Sequence, residues 1–241
     1  MKLRPAPRGP EMVNALSDQN VRDIVTMLLQ ILNQESFRNF ANFLVKFTTR
    51  TQVNFTEALE DLRISFQSYP DAQGLYLTPE SVNAFIDRLK ALYQQNERMV
   101  GFLRGAIVER LTSELISQRC YAGECQSNQK FLDERGREVT GQIDVAVLSH
   151  NNSFAEGYEC KTKADGIMSE DCDNLKALVR TARNENYYVH VGFASFVADK
   201  LVKRRLEYFN APSYIMAYGL NSITKLRNTP HYIEPDDILE Q

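Results

Sequence analysis

The chain reads as an α/β protein, with a mixed central sheet preceded by an all-helical N-terminal region. Three observations predict this. Apolar residues recur at helical spacing from Val21 to about Ser117. After Cys120 the pattern changes to alternating, β-branched runs. Those runs are then interleaved with two further helical segments, as in a sheet fed both by hairpins and by crossovers.

Met1 to Pro10 is basic and Pro-rich and holds no apolar segment, so residues 1–12 are expected to be a flexible tail and not a secretory signal. Residues 13–97 form the helical region. Ser17 is the expected N-cap of a first helix whose apolar face is Val21, Ile24, Val25, Leu28, Leu29 and Leu32. Phe37, Phe40, Phe43, Leu44 and Phe47 continue the period after Glu35-Ser36, and a stripe of this spacing is helix core. A third helix covers Thr56 to Gln67 and is closed by Ser68-Tyr69-Pro70-Asp71 and Gly74. Thr78 caps the next helix and Pro79 suits its first position, with Val82, Phe85, Ile86, Leu89, Leu92 and Tyr93 facing inward. Helix resumes from Glu97 to Ser117.

Residues 98–225 carry the sheet. Gln129 to Leu132 is a short strand, and Asp133-Glu134-Arg135-Gly136 is a turn. Val139 to Leu148 alternates as a strand, Ser149-His150-Asn151-Asn152 turns, and Phe154 to Lys161 returns. A helix from Glu170 to Asn184, a strand from Tyr188 to Phe196, a helix from Val197 to Phe209 and a strand from Ser213 to Tyr218 follow. Residues 226–241 are expected to be a C-terminal tail.

At 241 residues the chain fits one large domain or two small ones, and 43% hydrophobic with 24% charged residues is ordinary for a globular protein. No apolar run approaches the roughly 18 residues that span a bilayer. A net charge of −3 argues against a surface coated in positive charge for non-specific nucleic-acid binding, while leaving room for a local basic groove. Cys120, Cys125, Cys160 and Cys172 lack the paired C-x2-C spacing of a zinc site and have no histidine near them. Isolated reduced thiols fit a cytoplasmic protein.

Asp144 interrupts the run Ile143-Asp144-Val145-Ala146-Val147-Leu148, and an acid among β-branched residues is costly unless something pairs with it. Glu159 and Lys161 follow in the next strand, two apart and therefore on one face. The hairpin makes the strands neighbours, which lets Asp144 share that face. Two carboxylates a few ångströms apart repel, and a divalent cation removes the penalty. Oxygen-only ligands favour Mg2+ or Mn2+.

Asp144 with Glu159-x-Lys161 resembles the PD-(D/E)xK nuclease superfamily, and the element order from about Val100 to Gly219 is similar to its αβββαβ(αβ) restriction-endonuclease-like core. Ile143 stands where the family name expects proline, and Gly141 supplies some of the same turn tendency. The resemblance implies a metal-dependent DNA endonuclease, in restriction, phage defence or repair. It implies that Asp144 binds or bridges Mg2+, with Mn2+ able to substitute. Glu159 and the backbone carbonyl of Cys160 would be further ligands, and Lys161 would position the attacking water. It also implies an acid on the preceding helix. Glu109 fits, beside the small residues Gly105, Ala106, Thr112 and Ser113; Glu114 lies on another face. Lys163 shares the Glu159 face, and spacing favours Lys161 over it.

Two other classes stay open: a catalytically inactive nuclease-fold binding or scaffolding protein, and an RNA-processing nuclease. Taken alone, Glu159 and Lys161 read as an ion pair on a solvated strand; the buried flanks of Asp144 tip the balance. Arg180, Arg183, Lys200, Lys203, Arg204 and Arg205 read equally as a phosphate-tracking surface or as ordinary solvated helix faces. His150 and His190 lack metal-ligand spacing and read as structural or solvated. The helical region is assigned to homodimer formation, a partner protein or the shaping of substrate access, and no membrane contact is expected.

Overall fold

A computed structural model of the chain describes residues 1–32, 35–70 and 73–236. It divides into two units, Gly9–Leu111 and Met1–Arg8 with Thr112–Gln241. The boundary thus falls inside the long helix, later than the expected start of the second domain at residue 98.

The helical unit begins with α1 (Pro10–Ser17) and α2 (Gln19–Ile31). Asp18, not Ser17, caps α2: its carboxylate accepts the N–H of Asn20 at 2.8 Å and of Val21 at 3.3 Å, while Ser17 closes α1. α3 (Glu35–Lys46), α4 (Phe55–Ser68) and α5 (Pro79–Tyr93) follow, and Thr78 accepts the Ser81 N–H as expected of a cap. Of the segment expected to close α4, Asp71 lies outside the described residues. The phenylalanine stripe is core: Phe43, Phe47, Phe55 and Tyr93 pack ring on ring at 4.9–5.7 Å, and the buried Tyr93 hydroxyl donates to the Phe47 carbonyl at 2.8 Å. α6 (Glu97–Ser117) contributes its first fifteen residues to this unit and the remainder to the other.

The second unit is built on a six-stranded mixed sheet whose strands lie in sequence order. β1 (Lys2–Pro5), β2 (Cys125–Leu132), β3 (Ile143–Ser149) and β4 (Phe154–Lys161) pair antiparallel in succession. β5 (Tyr188–Ser195) and β6 (Ile215–Tyr218) then add in parallel. Parallel neighbours require crossovers, and these are α7 (Ser169–Asn184) and α8 (Asp199–Tyr208). β3, β4 and β5 are buried almost throughout, which suits the largely apolar sequences of β3 and β5 and sets apart the acids of β3 and β4.

Four boundaries correct the sequence reading. The expected flexible tail contains β1, which pairs Lys2 through Pro5 with Leu132 through Gln129, and the start of α1. β2 starts at Cys125, earlier than expected. β3 starts at Ile143, later than the expected Val139, because residues 139–142 make a corner. There the Thr140 hydroxyl accepts the Phe131 N–H at 3.1 Å, and the Gly141 N–H turns to Asn174 Oδ1 at 2.8 Å. The C-terminal tail is tied down over its described part: Ile233 bridges Val189, and the Tyr232 hydroxyl donates to Glu156. Residues 237–241 lie outside the described residues.

Candidate active site

The ladder between β3 and β4 runs from Ser149 opposite Phe154 to Val145 opposite Tyr158. Asp144 and Glu159 are the next residue on each strand. Asp144 Oδ2 accepts the Cys160 N–H at 2.9 Å, and Gln142 Nε2 donates to its other oxygen at 3.3 Å. Lys161, the last residue of β4, donates through Nζ to Glu159 Oε2 at 3.3 Å and to Asp171 Oδ1 at 3.0 Å. The hairpin therefore brings Asp144, Glu159 and Lys161 together as the sequence predicts, and α7 adds Asp171 from its first turn.

Two glycines set the distances. A methyl group at Gly157 would lie 2.7 Å from Leu178 Cδ2, so a side chain there would force Leu178 or α7 to shift from β4. A methyl group at Gly141 would meet the Asn174 side chain at 2.9 Å. Close approach, together with the bond to Asn174, is the role of Gly141 beside the Asp144 strand.

Asp144 is 8% exposed and Glu159 2%. Burial, reinforced by the Asp144 charge and then by Asp171, pushes the Glu159 carboxyl well above the usual carboxylate range, against the pull of Lys161. Burial works against the charged form of Lys161, but the Glu159, Asp144 and Asp171 charges outweigh it and raise the ammonium above its ordinary value. Glu159 Oε1 is buried without a hydrogen-bond partner among the described residues. An acceptor-only oxygen beside a second carboxylate is what a hard cation satisfies. The side chains supply only part of a coordination shell: among the described residues no group of three or more His, Cys, Asp or Glu side chains is placed to hold a metal ion. Mg2+ is suited to such a set, since it commonly binds through one or two carboxylates and keeps several waters.

Glu109 belongs to the helical unit, where it is buried at 1% exposure on α6. Lys163 lies beyond β4, at the start of a single 3-10 turn, Ala164–Gly166. The basic residues separate into two groups. Lys200, Lys203 and Arg204 are exposed on α8, and Arg180 is exposed on α7. Arg205 Nε donates to the Ile167 carbonyl at 3.1 Å and its guanidinium stacks on Phe209; Arg183 donates to the Pro235 carbonyl at 3.3 Å. Arg180 also lines a cavity of about 520 Å3 together with Asp133, Glu138 and Glu185.

The opposite end of β4 carries a cluster that sequence reading missed. Glu156, fully buried, receives both terminal nitrogens of Arg119 at 2.8 and 2.5 Å and the hydroxyls of Tyr158 and Tyr232, each at 2.6 Å. Burial alone raises this carboxyl, but Arg119 and the two hydroxyls hold it below its ordinary value. The signal was present: Glu156 is an acid in an apolar strand, as Asp144 is. What sequence could not supply was its partner, Arg119, 37 positions away. His190 is structural, as expected: Nδ1 faces the His231 carbonyl at 2.9 Å, so it carries the proton, and Nε2 accepts from Tyr218 at 2.7 Å.

No family model matches the chain, and no curated protein matches it. No helix among the described residues is long and apolar enough to cross a membrane.

Proposed function

We propose that the protein is a divalent-metal-dependent nuclease of the PD-(D/E)xK type, acting on DNA phosphodiester bonds. One observation carries the reading: Asp144 and Glu159 meet where β3 and β4 end their ladder, one carboxylate oxygen of Glu159 is buried without a hydrogen-bond partner, and a lysine stands beside them. The order α6, β2, β3, β4, α7, β5, α8, β6 supports it, being the order the resemblance implies.

Asp144, Glu159 and the Cys160 carbonyl would hold the ion. When bound, Mg2+ or Mn2+ supplies Lewis-acid polarisation of the phosphate and a more acidic water. Asp144 is anchored through Oδ2 to the Cys160 N–H, which fixes its orientation. Lys161, held as a cation, donates hydrogen bonds and orients an incoming water or phosphate oxygen; it is no base in this state. The exposed cations Lys200, Lys203 and Arg204 are free to track a phosphate backbone. Arg205 and Arg183 are engaged by backbone carbonyls and contribute less. Cutting both strands of a duplex with one site per chain calls for a homodimer.

The second reading, a nuclease-fold binding protein without catalysis, is favoured by the absence of a third ligating side chain among the described residues. A cleavage assay decides between them. Supercoiled, linear and single-stranded DNA and RNA are incubated with Mg2+, Mn2+ or EDTA, with Lys161→Ala run alongside. The nuclease reading expects metal-dependent cutting that the variant loses by orders of magnitude. Cutting of RNA alone would change the substrate and keep the site. No cutting by folded protein with either metal would overturn the reading.

A further inference from the structure

We propose that Asp171 is the positioning residue for Lys161, keeping its ammonium paired at a fixed place when Glu159 is engaged by a cation. The consequence for catalysis rests on the nuclease reading; the positioning itself rests on geometry. A lysine side chain has many rotamers to lose on being fixed, so one acceptor at the length of the Glu159 contact holds it weakly. Asp171 is the shorter contact, 3.0 Å against 3.3 Å.

Asp171 is itself fixed. Its Oδ2 accepts the Met168 N–H at 2.8 Å, closing the first turn of α7, where a negative charge also faces the positive end of the helix. The residue before Met168 is tied to α8 through Arg205 and the Ile167 carbonyl. The tight seat of α7 on Gly157 fixes the helix against β4. The carboxylate is thus held by Met168, on a segment tied to α8 and a helix packed on β4, before it meets the lysine. The pairing also resolves a conflict. A cation held at Glu159 Oε1 would weaken the charge that Oε2 offers to Lys161. Asp171 lets the ammonium stay where it is while Glu159 turns its charge to the ion.

The test is a double-mutant cycle on the full chain. Asp171→Asn keeps an oxygen for the Met168 N–H and removes the charge. It is expected to lower kcat about 10- to 100-fold, the usual effect of losing a residue that orients a ligand, with KM and Tm little changed. In Lys161→Ala, adding Asp171→Asn is expected to cost nothing further. Losses that multiply, or an effect on KM alone, overturn the proposal. A second readout is independent of cleavage: the 15N signal of the Lys161 ammonium, identified by its loss in Lys161→Ala. It should be resolved in the wild type and lost or broadened in Asp171→Asn. A signal equally sharp or equally broad in both overturns the positioning role. A wild type that cuts nothing while this signal responds would sink the nuclease reading and leave the positioning intact.

Discussion

Asp144 accepts the main-chain N–H of Cys160, 2.9 Å away and sixteen positions on in the chain. A side chain of β3 thereby bonds the backbone of β4 two residues past Tyr158, the last residue of β4 in their ladder. The bond fixes the carboxylate beside Glu159 and satisfies one oxygen of a buried acid.

This arrangement predicts a metal-dependent gain in stability. A ligand that binds only the folded state contributes about 2.7 kcal/mol at a hundred times its Kd. Saturating Mg2+ or Mn2+ should therefore raise Tm by several degrees over EDTA in the wild type. Asp144→Asn keeps the bond to Cys160 and removes a ligand charge, so its Tm should be nearly indifferent to the metal. Differential scanning calorimetry makes the comparison.

The Arg119–Glu156 pair predicts an asymmetric response to substitution. Arg119→Met strands a fully buried carboxylate and should cost about 3–5 kcal/mol. Adding Glu156→Gln should recover a large part of that loss, since the uncompensated charge is gone. Urea denaturation of the wild type, both single variants and the double variant gives the coupling; equal losses from Arg119→Met and the double variant would contradict it.

His190 predicts acid sensitivity in a defined window. Burial, the largest influence, keeps its imidazole below the ordinary value of 6.5. Below that value the unfolded chain binds a proton that the folded chain does not. Its contribution is fully present above pH 6.5 and is lost as pH falls through the folded value, by up to about 1.4 kcal/mol per pH unit. His190→Asn should flatten the stability profile between about pH 6.5 and the pH at which carboxylates begin to titrate. A profile as steep as the wild type would reject this assignment.

Gly157→Ala tests the seat of α7. The added methyl meets the fully buried Leu178 at 2.7 Å in a packed interior, and overpacking of this kind costs about 1–3 kcal/mol. Any retreat of α7 also carries Asp171 away from Lys161. The variant should therefore lose more nuclease activity than its stability explains, measured well below its own Tm.

Much of this was legible in the chain itself. β4 and α6 have the bounds read from the sequence: a turn signal at residues 149–152 fixes the start of β4, and no proline interrupts α6. Asp144, Glu159 and Lys161 were legible because a hairpin joins them and strand pairing is local. β1 was not, since a short basic, Pro-rich stretch carries no strand signal and its partner β2 lies more than a hundred residues away. Asp171 was hidden for a related reason: an acid in a first helical turn is ordinary, and only the packing of α7 on Gly157 brings it to Lys161. Asp18 displaced Ser17 as a cap because either residue type fits that place and the end of α1 decides between them.

The strand that pairs Lys2 through Pro5 with β2 has a consequence for handling the protein. Without it, β2 would present a row of unsatisfied N–H and C=O groups along its outer side, a template on which a second chain can assemble. β1 covers that row and makes a poor template in its turn: it is four residues long, Lys2 and Arg4 are charged and exposed, and Pro5 has no N–H to donate. A preparation trimmed back to Gly9 would keep every residue of the candidate site and still exchange a guarded edge for a sticky one.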